Sequence, residues 1–239
     1  MASVKTVQFE GDDLYLTSPF MAFQEALEAC RRLTVRPERM ALILGEQGMG
    51  KTVGSRWFCS QHADACYIEV PPAPILRTGR LLKLIEAELG MAGGSTLFDR
   101  TLAIADELSR QPRMLVFDIG NRLRRYDYID VLRYIHDRAR ARMAFVGTPA
   151  LERVFREHAE FAGRVQIRHA LRPTPLAEAA AIFRDFSEQA AAAIHEITGG
   201  RMRQMLVLAH AFRSNKIPLE RRTPDAVRRV AQSLTVRAA

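Results

Sequence analysis

The run Gly45-Glu46-Gln47-Gly48-Met49-Gly50-Lys51-Thr52 constrains this chain more than any other stretch. It follows Met40-Ala41-Leu42-Ile43-Leu44, an apolar segment of strand length, and it opens a helix-compatible segment from Lys51 to about His62. Glycines at 45, 48 and 50 let consecutive backbone N–H groups converge on an anion without interference from Cβ atoms. The N-terminus of the following helix adds a positive dipole end. Lys51 can reach the β- and γ-phosphates, and the Thr52 hydroxyl can ligate Mg²⁺. The expected nucleotide contacts are therefore Gly45, Glu46, Gln47, Gly48, Met49, Gly50, Lys51, Thr52 and Val53. A strand, a glycine loop and a helix in this order predict binding of a nucleoside triphosphate with Mg²⁺.

The pattern around this loop sets the fold class. Further apolar runs at 65–70, 114–118, 143–147 and 165–170 alternate with amphipathic segments at 81–89, 96–110, 128–139 and 149–158. Ser18 is read as the N-cap of a helix from Phe20 to Leu33, with Pro19 in its first turn. Alternation of this kind predicts an α/β core with a parallel sheet covered by helices on both faces. After Thr174-Pro175 the strands stop. Thr174, Ser187 and Thr223 are expected to cap helices, and Gly199-Gly200 to end one. The organisation expected is an α/β core over 1–172 and a small all-helical lid with a basic segment over 173–239.

Composition narrows the partners. The 239 residues carry a net charge of +8, and from Arg201 onward nine Lys/Arg face two acids. A second cluster, Arg122, Arg124, Arg125, Arg133, Arg138, Arg140 and Arg142, faces three acids. Such an excess points to a polyanionic partner, most simply nucleic acid. No run of 18 apolar residues exists, so no membrane span is expected, and the N-terminus lacks the apolar region of a signal peptide. Cys30, Cys59 and Cys66 lack metal-ligand spacing and read as free thiols of a cytoplasmic protein.

Asp118 ends an apolar strand 67 residues after Lys51, where its carboxylate would join Thr52 in holding Mg²⁺. Later come Val146-Gly147-Thr148-Pro149, the Arg164 segment, and Gly200-Arg201-Met202-Arg203. This order resembles AAA+ ATPases from about residue 18 to 215. Phe145-Val146-Gly147-Thr148-Pro149-Ala150-Leu151 and Arg164-Val165-Gln166-Ile167-Arg168 look more narrowly like the branch holding the Mu phage transposition protein B, transposon TnsC-type regulators and secretion-associated ExeA-type ATPases.

The resemblance implies roles for single residues. Thr148 falls at the sensor-1 position beside the γ-phosphate. Arg164 falls where these proteins carry an arginine finger that reaches a neighbouring subunit's nucleotide, with Arg168 as its alternate. Arg203 matches the sensor-2 position, with Arg201 as a substitute. In the transposition branch, the region matching Arg122, Arg124, Arg125 and Tyr126 lines the inner surface of a ring or helical filament on duplex DNA. Together these imply an ATP-dependent, sequence-nonspecific DNA-binding regulator that forms homo-oligomers and recruits or activates a transposase. The alternative is a motor or loader of the helicase-loader or secretion type.

One position departs from the family. Members usually have Asp-Glu where this chain reads Asp118-Ile119, and isoleucine cannot polarise a water. Either another carboxylate substitutes, with Glu46 and Asp127 as candidates, or hydrolysis is slow; slow hydrolysis is the favoured expectation.

Overall fold

The structure is a computed structural model, and it describes residues 4–34, 38–71, 77–120 and 126–234. The chain forms two compact units. One comprises Phe23–Glu46 with Lys51–Ala170; the other comprises Met1–Ala22, Gln47–Gly50 and Leu171–Ala239.

The first unit is built on five parallel strands: β3 (Met40–Leu44), β4 (Ala65–Glu69), β5 (Met114–Gly120), β6 (Arg142–Gly147) and β7 (Val165–Ala170). They lie in the order β4-β5-β6-β3-β7, so the strand that feeds the phosphate loop is flanked by β6 and β7. The first four residues of β3 are all buried, as expected of a strand covered on both faces. The helices of this unit are most of α1 (Ser18–Arg31), then α2 (Lys51–Gln61), α3 (Thr78–Leu89), α4 (Leu97–Arg110), α5 (Tyr126–Ala139), α6 (Ala150–Glu157) and the single turn α7 (Ala159–Ala162). Thr96 caps α4 in a capping box, accepting from the Asp99 N–H while the Asp99 carboxylate accepts from the Thr96 N–H.

One sheet face packs on α3, α5 and α6 through Leu42, Ile68, Leu115, Phe117 and Phe145. Phe145 stacks on Phe117 at 5.2 Å and meets Phe155 and Phe161 edge-on. Ile119 belongs to this core and is fully buried. The β5–β6 pairing steps from Asp118↔Val146 to Gly120↔Gly147, so Ile119 sits in a bulge with its side chain in the core.

The second unit opens with an antiparallel hairpin, β1 (Lys5–Phe9) and β2 (Asp12–Leu16). Its two-residue turn, Glu10-Gly11, has positive φ at both positions, which matches the right-handed twist of a hairpin. The remaining helices are α8 (Leu176–Ile182), α9 (Glu188–Thr198), α10 (Met202–Ser214) and α11 (Pro224–Ser233). Their core gathers Phe183, Phe186, Ile194, Met205, Leu208, Phe212 and Val227. Ser187 and Thr223 cap α9 and α11 as the sequence predicts, and α9 ends at Gly199.

Two expected caps are displaced. Helix α1 already includes Ser18, and the Thr17 hydroxyl accepts from the Phe20 N–H instead. Pro175, not Thr174, precedes α8, because the Thr174 backbone is committed to Gly200 and the His195 ring. Among the described residues no helix is long and apolar enough to cross a membrane.

The burial of Ile119 generates a test. Ile119→Glu would place a carboxyl group in an apolar core and should destabilise the protein by about 3 kcal/mol or more, whereas Ile119→Val should cost about 1 kcal/mol. Thermal denaturation measures both, and a wild-type melting temperature for Ile119→Glu would put residue 119 outside the core.

Candidate nucleotide site

The loop between β3 and α2 carries the geometry that its glycines allow. Gly48 and Gly50 have φ of 84° and 80°, a left-handed conformation that side chains with a Cβ rarely adopt. Lys51, the first residue of α2, is buried; its Nζ donates to the carbonyls of Gly45 at 2.6 Å and Glu46 at 2.7 Å. The ammonium is thus folded back along its own loop.

Thr52 and Asp118, both expected to hold Mg²⁺, lie in contact. The Thr52 hydroxyl donates to Asp118 Oδ2 at 2.6 Å. A residue absent from the sequence reading joins them: the Tyr67 hydroxyl, from β4, donates to the same oxygen at 3.2 Å. Burial first, and then the Asp118 charge, raise the Tyr67 pKa, so this phenol stays protonated and remains a donor at neutral pH. A hydroxyl beside a carboxylate offers hard oxygen ligands. It suits Mg²⁺, which takes one or two protein ligands and fills its octahedron with water and phosphate oxygens. Among the described residues no cluster of three His, Cys, Asp or Glu could hold a metal by itself.

Thr148 follows β6 directly. The Gly45 N–H donates to the Gly147 carbonyl at 3.0 Å, which fixes the end of β6 beside the start of the phosphate loop. Thr148 therefore follows a strand end that lies beside the start of the loop.

Within the second unit, the loop residues Gln47–Gly50 are met by α10. The Arg203 N–H donates to the Gly48 carbonyl at 3.0 Å, and the Arg203 side chain is exposed. Gln204 covers Gly48 so closely that a Cβ there would lie 2.2 Å from Gln204 Oε1. That oxygen is buried with no hydrogen-bond partner among the described residues. Arg201 donates through Nε to the Thr198 carbonyl, which ties it to the end of α9.

The two finger candidates differ. Arg164 is held by a two-pronged pair with Asp137, Nε to Oδ1 at 2.5 Å and Nη2 to Oδ2 at 2.6 Å, and it also donates to the Glu160 carbonyl. The guanidinium beside Asp137 lowers that carboxyl's pKa and in return raises that of Arg164. Arg168 lies on the edge strand β7, exposed, and makes no ion pair among the described residues.

Of the expected DNA contacts, Arg122, Arg124 and Arg125 lie outside the described residues, and Tyr126 opens α5. The C-terminal arginines separate into committed and free. Arg222 pairs with Asp185 at 2.6 Å and lies over the Phe186 ring, so it is part of the helical core's support. Arg228 pairs with Asp225. Arg221 and Arg229 are exposed without an ion pair among the described residues. All three cysteines are free thiols, and burial pushes Cys30 and Cys59 up to about 12, which makes neither a nucleophile at neutral pH.

Comparison with known proteins agrees with this architecture. The chain is similar in structure to Cdc6p of Pyrobaculum aerophilum, with 16% identity and a TM-score of 0.62 over 85% of this chain and 62% of that one. It is similar to the ORC1 protein of Aeropyrum pernix, solved in complex with DNA, with 16% identity and a TM-score of 0.60 over 88% of this chain and 64% of that one. A RuvB variant of Thermotoga maritima matches with 18% identity and a TM-score of 0.58 over 90% and 67%. The chain thus spans less than two thirds of the first two proteins, and identities this low establish the fold alone. No curated protein matches the chain in sequence. The family model described as an AAA domain matches residues 34–155, just over half of the sequence. With its phosphate loop, its Thr52–Asp118 pair and its five-stranded parallel sheet, this chain belongs to the AAA domain family.

Proposed function

We propose that this chain is an ATP-dependent regulator of DNA transposition, which assembles on duplex DNA in its ATP state and recruits or activates a transposase. The AAA fold implies nucleotide binding, usually with Mg²⁺, and the Thr52–Asp118 hydrogen bond is the observation that carries the nucleotide part of the reading. The DNA part rests on charge. Nine Lys/Arg against two acids after Gly200, with Arg221 and Arg229 exposed, favour a polyanion held through its phosphates. The solved relative ORC1 carries DNA in its own structure, which supports the reading by analogy of fold.

Assembly in this reading uses an arginine offered by one subunit to the nucleotide of the next, where it would neutralise charge on the phosphates. Arg168 suits that role better than Arg164. Arg164 would have to leave a two-pronged ion pair, whereas Arg168 is exposed on an edge strand. The transposition reading is favoured over a motor because the residue after Asp118 is a buried isoleucine, so no carboxylate stands where family members usually carry the one that polarises water, and slow turnover is the expectation. Tight binding with slow turnover suits a scaffold on DNA.

Electron microscopy of the protein with duplex DNA, with and without ATP and Mg²⁺, tests the proposal. ATP should convert dispersed protein into DNA-bound oligomers. Lys51→Ala should lose nucleotide binding and assembly together, while Arg168→Ala should keep nucleotide binding and lose assembly. DNA affinity should be alike for unrelated duplexes and fall steeply with salt. ATP-dependent assemblies formed normally by the Lys51→Ala protein would falsify the reading.

A further inference from the structure

We infer that Glu69, at the end of β4, is the carboxylate that activates water for ATP hydrolysis in this chain. The inference rests on the reading of the chain as an ATP-binding protein that turns nucleotide over, slowly. The residue after Asp118 cannot do this work, since Ile119 is fully buried in the apolar core of the opposite sheet face.

Strand pairing brings a carboxylate to Asp118 by another route. Glu69 and Asp118 are register partners in the parallel β4–β5 pair. Partners in such a ladder leave the sheet on the same face at the same level, with neighbouring strands about 5 Å apart. The register is pinned at this point, because the Val70 N–H donates to the Asp118 carbonyl at 3.0 Å. Tyr67, two residues earlier on the same strand, shows that this parity faces the site, since its hydroxyl reaches Asp118 Oδ2. The Thr52 hydroxyl reaches that oxygen too, so the face is the one the phosphate loop's helix covers.

The Glu69 side chain is exposed at the strand's end and makes no hydrogen bond or ion pair among the described residues, and its charge is felt by the Tyr67 phenol. Other carboxylates of this unit are engaged: Glu28 by Arg31 and Arg32, Glu86 by Arg100, and Asp137 by Arg164. Glu46 lies on the loop itself, where its backbone carbonyl accepts from Lys51, and no strand pairing fixes its side chain beside Asp118.

The step balances as an in-line hydrolysis. Glu69 accepts a proton from a water as the water oxygen bonds to the γ-phosphorus. The bond from the γ-phosphorus to the bridging oxygen breaks, and its electron pair leaves on ADP. Glu69 then returns the proton to solvent.

The experiment measures ATP binding by titration calorimetry and phosphate release in a single turnover, for the full chain and for Glu69→Gln. Glutamine keeps the shape and removes the basicity. The variant should bind ATP within about twofold of wild type and release phosphate at least about tenfold more slowly, the scale of a lost general base. Equal phosphate release by both proteins overturns the assignment, as does a variant that no longer binds ATP, which would make Glu69 a binding residue. A wild-type chain that binds ATP and releases no phosphate also overturns it, while leaving the nucleotide-binding reading intact. Failure of the wild-type chain to bind ATP overturns both.

Discussion

The parallel pairing of β3 with β6, and of β5 with β4 and β6, is the constraint on which the site depends. Parallel strands end at one edge of a sheet, so loops distant in sequence become neighbours there. The phosphate loop follows β3, Asp118 lies near the end of β5, Thr148 follows β6, and Glu69 ends β4. The loop backbone takes positive φ at positions 48 and 50, a conformation that glycine adopts at little cost.

Much of this was legible in the sequence, for physical reasons that also explain the remainder. The glycine loop, its strand and its helix are local, and so is each buried strand, since a β3 covered on both faces must read as Met40-Ala41-Leu42-Ile43-Leu44. Thr52 and Asp118, both expected at the metal, lie in hydrogen-bond contact because a loop and a strand end at one edge leave few alternatives. Register is not local. That Tyr67 reaches Asp118, that Glu69 is its ladder partner and that a bulge carries Ile119 into the core all depend on how β4 and β6 pair with β5. Ile119 read as a residue standing in the place of a catalytic glutamate; in the fold it is a core residue. The β1–β2 hairpin is weakly signalled: Thr6-Val7-Gln8-Phe9 and Leu14-Tyr15-Leu16 flank Glu10-Gly11, a turn pair weaker than Asn-Gly.

Charge was the coarsest signal in the sequence, and the fold refines it. Arginines that look alike in a list divide by whether a carboxylate holds them. Arg213 and Arg222 converge on Asp185 under the helical core, and Arg164 grips Asp137. A guanidinium held in this way supports packing and does not reach readily for a partner. Arg168, Arg221 and Arg229 remain exposed without an ion pair among the described residues.

In the proposed function, Thr52 and Asp118 would form the protein's half of a Mg²⁺–nucleotide site. The most direct measurement is equilibrium binding of ATP with and without Mg²⁺, for the wild-type chain and for Asp118→Asn. Mg²⁺ should tighten ATP binding to the wild type at least tenfold, and Asp118→Asn should lose most of this gain while keeping its metal-free affinity. Equal Mg²⁺ enhancement in both proteins would contradict it.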